Sequence, residues 1–197
     1  GKSNILSRLE KYGIKIDSKD PKILKILEEV KDREFSGYSY DGADASFELL
    51  ANRLLGNVPD YLNVESYSVT VEKTDKLNTN AEVVFLIDGK KIKCNGKGNG
   101  PVNALDNAIR ENFSKVEKYY NFFSDLKLLD YKVRILNTGT EATTRVLIES
   151  TDKSGISWFT IGVSPNIIEA SFKALIDSLD YKLFKEKAPA NIKLNAK

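Results

Sequence analysis

Two glycines just before a predicted helix are the residues of this chain best suited to holding a ligand. Gly98 and Gly100 lie on either side of Asn99, and Pro101 follows at a position where proline commonly begins a helix. A glycine lets the backbone approach a ligand closely, and the free N–H groups of the first helical turn attract an anion. A phosphate and an amino-acid carboxylate are both candidates, and a plain strand-to-helix connection is the alternative.

Histidine-based catalysis is excluded because the chain has no histidine. That absence removes Ser-His-Asp and Cys-His sites and every metal site with a histidine ligand. Cys94 is the only cysteine, so no disulfide can form within the chain, and a reducing cytoplasm is the expected location. Because Cys94 occupies an apolar position of a predicted strand, we interpret it as a buried structural residue. We predict no catalytic residue in this chain.

One acidic cluster has the spacing of a helical face. Asp41, Asp44 and Glu48 could together bind Mg²⁺ weakly. Acidic side chains are also favoured at the start of a helix, where they cap it and complement its dipole. We interpret the cluster in this second way and predict neither a metal site nor a cofactor here.

Four lysines surround a predicted hairpin and could contact phosphate groups. They are Lys90, Lys91, Lys93 and Lys97. Lysines at hairpin edges commonly block strand pairing, and the whole chain carries 30 basic against 28 acidic residues. We therefore predict no nucleic-acid partner. No apolar stretch approaches the ~20 residues that span a bilayer, so we also predict no membrane partner.

The elements that must position these residues begin with three predicted helices in residues 1–60. The first ends at Gly13, and the second begins with Asp20 as its N-cap and Pro21 in its first turn. The second is expected to bury Leu24 and Leu27 together with Ile23 and Val30, and the third to begin near Asp41. These helices contain too few apolar residues for a thick core of their own. We therefore expect them to pack on another part of the protein.

Two β-β-β-α units are predicted to follow. Apolar and polar residues alternate over residues 67–71, and the same pattern returns over residues 131–135, at an offset of 64 residues. Pro101 and Pro165, each placed before a predicted helix, have the same offset. One three-stranded sheet with one helix cannot cover both faces of the sheet, so we predict paired units and a homodimer. The predicted fold class is α+β.

These patterns divide the chain into three parts. We predict a helical linker over residues 1–60, a domain of two repeats over residues 61–184, and a disordered tail over residues 185–197. The chain contains no methionine, even at its first position, from which we expect it to be a piece of a longer protein.

Several motifs in this order resemble the C-terminal region of the α-isopropylmalate synthase and citramalate synthase family. They are residues 98–105 (GNGPVNAL), 129–131 (LDY), 139–146 (GTEATTRV) and 162–171 (GVSPNIIEAS). Residues 37–50 look like the long-form citramalate synthases in particular, and residues 1–4 look like the segment that follows the catalytic barrel.

The resemblance implies a parent enzyme that condenses acetyl-CoA with pyruvate to citramalate, in isoleucine biosynthesis. It implies a (β/α)₈ barrel with a divalent metal, which this chain lacks, so the chain alone should be inactive. It also implies that residues 1–60 link that barrel to a dimeric allosteric domain, which binds isoleucine as feedback inhibitor. The alternatives are a leucine-binding domain of an α-isopropylmalate synthase, a free-standing ligand- or RNA-binding module, and a purely structural dimerisation domain.

The candidate effector site combines both repeats. From the helix-start argument we expect the carboxylate to be held by backbone N–H groups at Gly98, Gly100, Val102 and Asn103. The resemblance implies that the second repeat supplies the other wall. Its residues are Leu128, Tyr131, Ile135, Ala142 and Thr144, of which Ala142 leaves room for a branched side chain.

Overall fold

A computed structural model describes residues 1–138 and 141–193. Helices α1 (Lys2–Lys11), α2 (Pro21–Phe35) and α3 (Asp44–Leu54) come first. The first repeat contains β1 (Asn63–Lys73), β2 (Leu77–Ile87), β3 (Lys90–Gly98) and α4 (Pro101–Arg110). After two 3₁₀ turns and the short helix α5 (Tyr120–Phe123), the second repeat contains β4 (Lys127–Thr138), β5 (Glu141–Thr151), β6 (Ser157–Ser164) and α6 (Ile167–Lys185). The predicted α+β class and its two β-β-β-α units are confirmed.

The ends of the first two helices follow from their capping residues. Asp20 accepts a hydrogen bond from the backbone N–H of Lys22 at 2.9 Å and Gly13 has a φ of +75°, as predicted. The predicted start of α3 at Asp41 is wrong, because the helix begins at Asp44 without a side-chain cap. The predicted buried face of α2 is also partly wrong. The buried side chains are Ile23, Ile26 and Val30, whereas Leu24 is exposed.

The repeats form two separate antiparallel sheets, with strand orders β1-β2-β3 and β4-β5-β6. Each first strand contains a bulge, after Val64 and after Leu128, which are 64 residues apart. Helix α4 packs on β2 and β3, and α6 packs on β5 and β6. Apolar side chains from both sheets and both helices make one shared core. The two repeats therefore pack together through the inner faces of their sheets.

The offset between the repeats grows along the chain, which corrects one predicted equivalence. Helix α4 begins at Pro101 and α6 at Ile167, an offset of 66 rather than 64. Pro165 therefore does not correspond to Pro101. It lies in the turn before α6, whose cap is Asn166, and the Asn166 side chain accepts from the backbone N–H of Ile168. We use "counterpart" below for helix residues that are 66 apart.

The linker helices cover the outer face of the second sheet. Helices α1, α2 and α3 form a second core that includes Ile161 and Val163 of β6. The Ser46 hydroxyl accepts a hydrogen bond from the backbone N–H of Ile161 at 2.9 Å. Arg53 at the end of α3 bonds to Asp177 and to Asp180 of α6, each at 2.9 Å. The predicted need for the linker to pack on another part of the protein is thus met within this chain.

Residues 186–193 do not have the disorder that we predicted for the tail. Asn191 donates its backbone N–H to Asp60 and its side-chain amide to the carbonyl of Leu86. Its side-chain oxygen accepts from the backbone N–H of Asp88 at 2.8 Å. These bonds hold the C-terminal segment against the hairpin of the first sheet, a long-range contact that local composition does not reveal. Residues 194–197 lie outside the described part of the chain.

Candidate functional site

The two glycines before α4 have different roles in the structure. Gly100 is the N-cap of α4 in an extended conformation, and a Cβ placed there would meet nothing within 4 Å. At Gly98 an added Cβ would collide with the backbone of Ala104 and lie 2.5 Å from the side-chain oxygen of Asn103. Gly98 is therefore required for β3 to approach α4, and the backbone at Gly100 is the part of this turn with open space beside it.

The side chains of the first turn of α4 are largely committed to the protein. The side-chain oxygen of Asn103 accepts from the backbone N–H of Asn99 at 3.1 Å and from the amide of Asn107 at 3.4 Å. Val102 is buried in the core. Of the groups predicted here, the backbone N–H groups rather than the Asn103 side chain remain suited to a ligand.

The predicted residues of the second repeat are partly in the core and partly exposed. Leu128 lines a cleft of about 10 Å³ beside Asp106 and Ile109, which has room for no more than about one water molecule. Thr144 is buried, and Ala142 is exposed on the same strand. Gly139 and Thr140, which the sequence places in the preceding turn, lie outside the described residues.

An exposed apolar strip runs along β4, the edge strand of the second sheet. Tyr131, Val133 and Ile135, which we call the β4 strip, are 44%, 41% and 69% exposed. They lie on the inner face, because Tyr131 pairs with the fully buried Ile148 of β5. Val133 was not among the predicted residues, although its alternation with Tyr131 and Ile135 marks the same face.

Among the described residues, Tyr131 of the β4 strip lacks an aromatic contact that the equivalent tyrosine has in the other half of the molecule. In the other half, Tyr67 of β1 stacks on Phe172 of α6 with ring centroids 4.0 Å apart. The counterpart of Phe172 is Asp106 of α4, which pairs with Arg110 at 3.1 Å. No ring is therefore supplied to Tyr131 from that position of α4. Aligning the two repeats by sequence pairs Phe172 with Asp106 only when the helices are offset by 66 residues, so the difference is missed with an offset of 64.

The predicted residues fall into two groups, one at the start of α4 and one on the second sheet. Ile109 of α4 and its counterpart Leu175 of α6 line one cleft, so the two helices lie side by side. Helix α6 begins after Asn166, just beyond Ser164 at the end of β6. Thr144 pairs with Ser164 in the second sheet, and Ile135 pairs with Thr144. The candidate site consists of the start of α4 and the β4 strip.

The other groups considered for chemistry are structural. Cys94 is fully buried, and burial raises the pKa of its thiol to about 11, so it stays protonated at neutral pH. Asp44 pairs with Arg8 at 3.2 Å, and the buried Glu48 pairs with Lys185 at 3.0 Å. The interpretation of Cys94 as a buried structural residue is confirmed, whereas the side-chain cap predicted for the acidic cluster is wrong, because α3 has none and Glu48 is buried in an ion pair.

No metal or membrane site is evident in the described ranges. Across residues 1–138 and 141–193, no three His, Cys, Asp or Glu side chains are grouped so that they could hold a metal ion. Within the same ranges, no helix combines the length and apolar character needed to cross a membrane. The resemblance assigns the divalent metal to a catalytic barrel and not to the residues of this chain.

Comparison with known proteins identifies the family. The sequence model of the LeuA allosteric (dimerisation) domain matches residues 41–183. An (R)-citramalate synthase of Geobacter sulfurreducens is 48% identical over 94% of this chain and 35% of its own length. The corresponding enzyme of Aquifex aeolicus is 44% identical, again over 94% of this chain and 35% of its own length. A 2-isopropylmalate synthase of Paraburkholderia phymatum is 29% identical over 91% of this chain and 32% of its own length.

The chain thus spans about a third of the length of these relatives. The match covers the last linker helix and both repeats, and the two repeats contain the start of α4 and the β4 strip. The resemblance that the sequence motifs carried is confirmed, and the chain belongs to the LeuA allosteric (dimerisation) domain family.

Proposed function

We propose that this chain is the regulatory part of a citramalate-synthase-like acyltransferase and binds isoleucine as a feedback inhibitor. The identity of 48% to a citramalate synthase, against 29% to a 2-isopropylmalate synthase, favours isoleucine as the effector. The observations that carry a binding role are the exposed β4 strip and the open space beside the backbone at Gly100. An apolar wall combined with free backbone N–H groups suits an amino acid with a branched side chain.

The proposed binding mode divides the ligand between the two repeats. Backbone N–H groups at Gly100 and the first turn of α4 hold the carboxylate, favoured by the helix dipole. Tyr131 and Ile135 cover the side chain, and full burial of such a side chain is worth about 1.5–3 kcal/mol. The Asn103 oxygen already accepts two hydrogen bonds, so the ligand ammonium is assigned to backbone carbonyls.

Isothermal titration calorimetry with isoleucine and leucine tests this proposal. Gly100→Val should abolish isoleucine binding, since the new side chain occupies the open space beside the backbone without clashing with the protein. Gly42→Val is the matched control, because its Cβ also meets nothing within 4 Å and it lies in the linker. Equal affinity of Gly100→Val and the parent would place the site elsewhere.

Leucine is the second candidate, supported by the 2-isopropylmalate synthases among the relatives. The two ligands differ by the position of one methyl group, and pocket shape discriminates such a change by only ~1–3 kcal/mol. We therefore expect a preference of about tens-fold for isoleucine, and a reversed preference would assign the chain to the other effector. Failure of both amino acids to bind would favour a purely structural dimerisation domain.

We also propose that the chain forms a homodimer. The β4 strip lies on the edge strand of a sheet, and exposed apolar edge strands are commonly covered by another chain. The description of the family as a dimerisation domain supports this assembly. Light scattering at tens of micromolar protein should give twice the chain mass of 22.1 kDa.

The catalytic part of the proposed parent lies outside this chain. A barrel with its divalent metal would supply the condensation of acetyl-CoA with pyruvate in the cytoplasm, and residues 1–60 would connect it to the regulator. This chain alone should release no CoA from acetyl-CoA, pyruvate and Mg²⁺, and release above background would contradict the assignment. A salt-dependent gel shift with single-stranded RNA would favour the RNA-binding alternative.

A further inference from the structure

Two arginines face each other on the outer side of the second sheet. Arg134 of β4 and Arg145 of β5 are directly paired in the strand register. Side chains at such positions lie about 5 Å apart at Cβ, and like charges there are destabilising. Within the described part of the chain, neither guanidinium forms an ion pair with a carboxylate. Among the described residues, no carboxylate therefore offsets the repulsion between the two arginines.

The first repeat provides an internal comparison. The pair at the same place in the first sheet is Thr70 and Asn80, which are neutral. Two lysines on that sheet have acidic partners, Lys91 with Glu65 at 3.2 Å and Lys93 with Glu82 at 3.4 Å. The opposed arginines are thus a property of the second repeat alone, and the β-β-β-α fold does not require them.

Arg145 is held in place rather than free in solvent. Its Nε donates to the carbonyl oxygen of Gly37, in the loop between α2 and α3, at 2.9 Å. Partial burial and the positive charge of Arg134 lower the pKa of Arg145. A fixed guanidinium beside a second one matches the geometry with which arginines bind carboxylate or phosphate oxygens.

We propose that Arg134 and Arg145 form a binding site for a small oxyanion, a phosphate or a dicarboxylate, on the outer face of the second sheet. This site is separate from the candidate effector site, which lies on the inner face. The bound anion replaces the repulsion between the arginines with two attractive contacts. Because Arg145 also bonds to Gly37, the anion strengthens the attachment of the linker to the sheet.

Titration calorimetry at low ionic strength with inorganic phosphate and with succinate tests the site. We expect saturable binding of at least one probe with a Kd of about 1 mM or below. Arg134→Gln should abolish it, and since Arg134 is exposed the fold should persist. Lys93→Gln on the first sheet is the matched control and should bind as the parent does. No saturable binding of either probe, or equal binding by Arg134→Gln, overturns the proposal.

Thermal unfolding separates an anion site from a merely structural role. Without an anion, Arg134→Gln should melt at a higher temperature than the parent, because the repulsion is gone. At a phosphate concentration tenfold above Kd, the parent should gain about 3–6 °C over a sodium chloride control of equal ionic strength, and Arg134→Gln should not. If Arg134→Gln still melts at a higher temperature than the parent in phosphate, the proposal is wrong. The proposal is also wrong if Arg134→Gln changes the oligomeric state but not anion binding, because the arginines would then belong to a contact between protein chains.

Discussion

The two repeats share one backbone plan and differ in what fills the space beside their first strands. In one half, Tyr67 stacks on Phe172, whereas the counterpart of Phe172 in the other half is Asp106 and Tyr131 is 44% exposed. Farther along the first strands the two halves are more alike, because Val71 of β1 is 54% exposed and Ile135 of β4 is 69% exposed. The duplicated unit thus keeps one backbone plan while a single helix position decides whether the tyrosine of the first strand has an aromatic partner.

The largest expected effect comes from removing the ring that stacks on Tyr67. Phe172→Ala should lower the free energy of unfolding by about 3–5 kcal/mol, because it deletes a buried aromatic side chain and its stack on Tyr67. Asp106→Ala at the counterpart position should cost only about 0.5 kcal/mol, the worth of an i,i+4 ion pair. Urea unfolding of both variants measures the difference. Similar losses would show that the two helix positions are equivalent after all.

A glycine on the third strand of each repeat tests what the two repeats have in common, because each one lets the strand approach its helix closely. A Cβ at Gly96 would lie 2.5 Å from the Cα of Ala108, and one at Gly162 would lie 2.9 Å from the backbone nitrogen of Ala174. Gly96→Ala and Gly162→Ala should each destabilise by about 1–3 kcal/mol, since strand and helix must move apart. Denaturant unfolding with Gly100→Ala as the open control checks this, and tolerance at either glycine would contradict equal packing in the repeats.

Helix α6 is longer than α4, and its extra turns carry an acidic group with a shifted pKa. Burial raises the pKa of Asp180 to about 7, against the opposing charge of Arg53 and with Asp177 and Asp60 nearby. Between about pH 4 and pH 7 the native state holds a proton that the unfolded chain has lost. Stability from this group is therefore full below about pH 4 and lost as the pH rises through about 7.

Asp180→Asn tests that pH dependence. Unfolding free energies of the parent and the variant, measured from pH 5 to pH 8, should differ by an amount that changes through this range and levels off above pH 7. Comparing the two proteins removes the contributions of groups that titrate in both. A constant difference would mean that Asp180 is ionised throughout, as its ion pair with Arg53 alone would favour.

The smallest expected effect on stability comes from giving one repeat the residue that the other repeat has at the equivalent strand position. Thr160 of β6 donates its hydroxyl to the carbonyl of Ala174 at 2.8 Å, and Cys94 occupies the same place on β3. Cys94→Thr should change stability by no more than about 1 kcal/mol, because the new hydroxyl finds the carbonyl of Ala108. Cys94→Val, which lacks the hydroxyl, is the control. A loss for threonine far above that for valine would show that the two helices sit differently on their sheets.

The sequence predicted features that depend on neighbouring residues. The cap at Asp20, the glycine that ends α1 and the alternation of the first strands follow from local geometry, and all are present. The start of α4 was recognised as a possible ligand site from its two glycines and the free N–H groups of a helix start, whereas Tyr131 and Ile135 were named only because the motifs around them resemble a known family.

Features that depend on distant contacts were missed. Pro165 was equated with Pro101 because a constant offset was assumed, whereas one residue is gained at each of two hairpins. The exposure of Tyr131 depends on the residue type at position 106, on a different element. Neither property can be obtained from the pattern of one segment alone.

The C-terminal segment bears on how the protein comes to be made. Asn191 satisfies the backbone of Leu86 and Asp88, residues more than one hundred positions earlier in the chain. During synthesis from the N-terminus, the hairpin of the first sheet emerges well before the residue that completes its hydrogen bonds. The hairpin of the first sheet can therefore complete these hydrogen bonds only after residue 191 has been synthesised. Removing Asn191 should thus destabilise the repeat that is synthesised first.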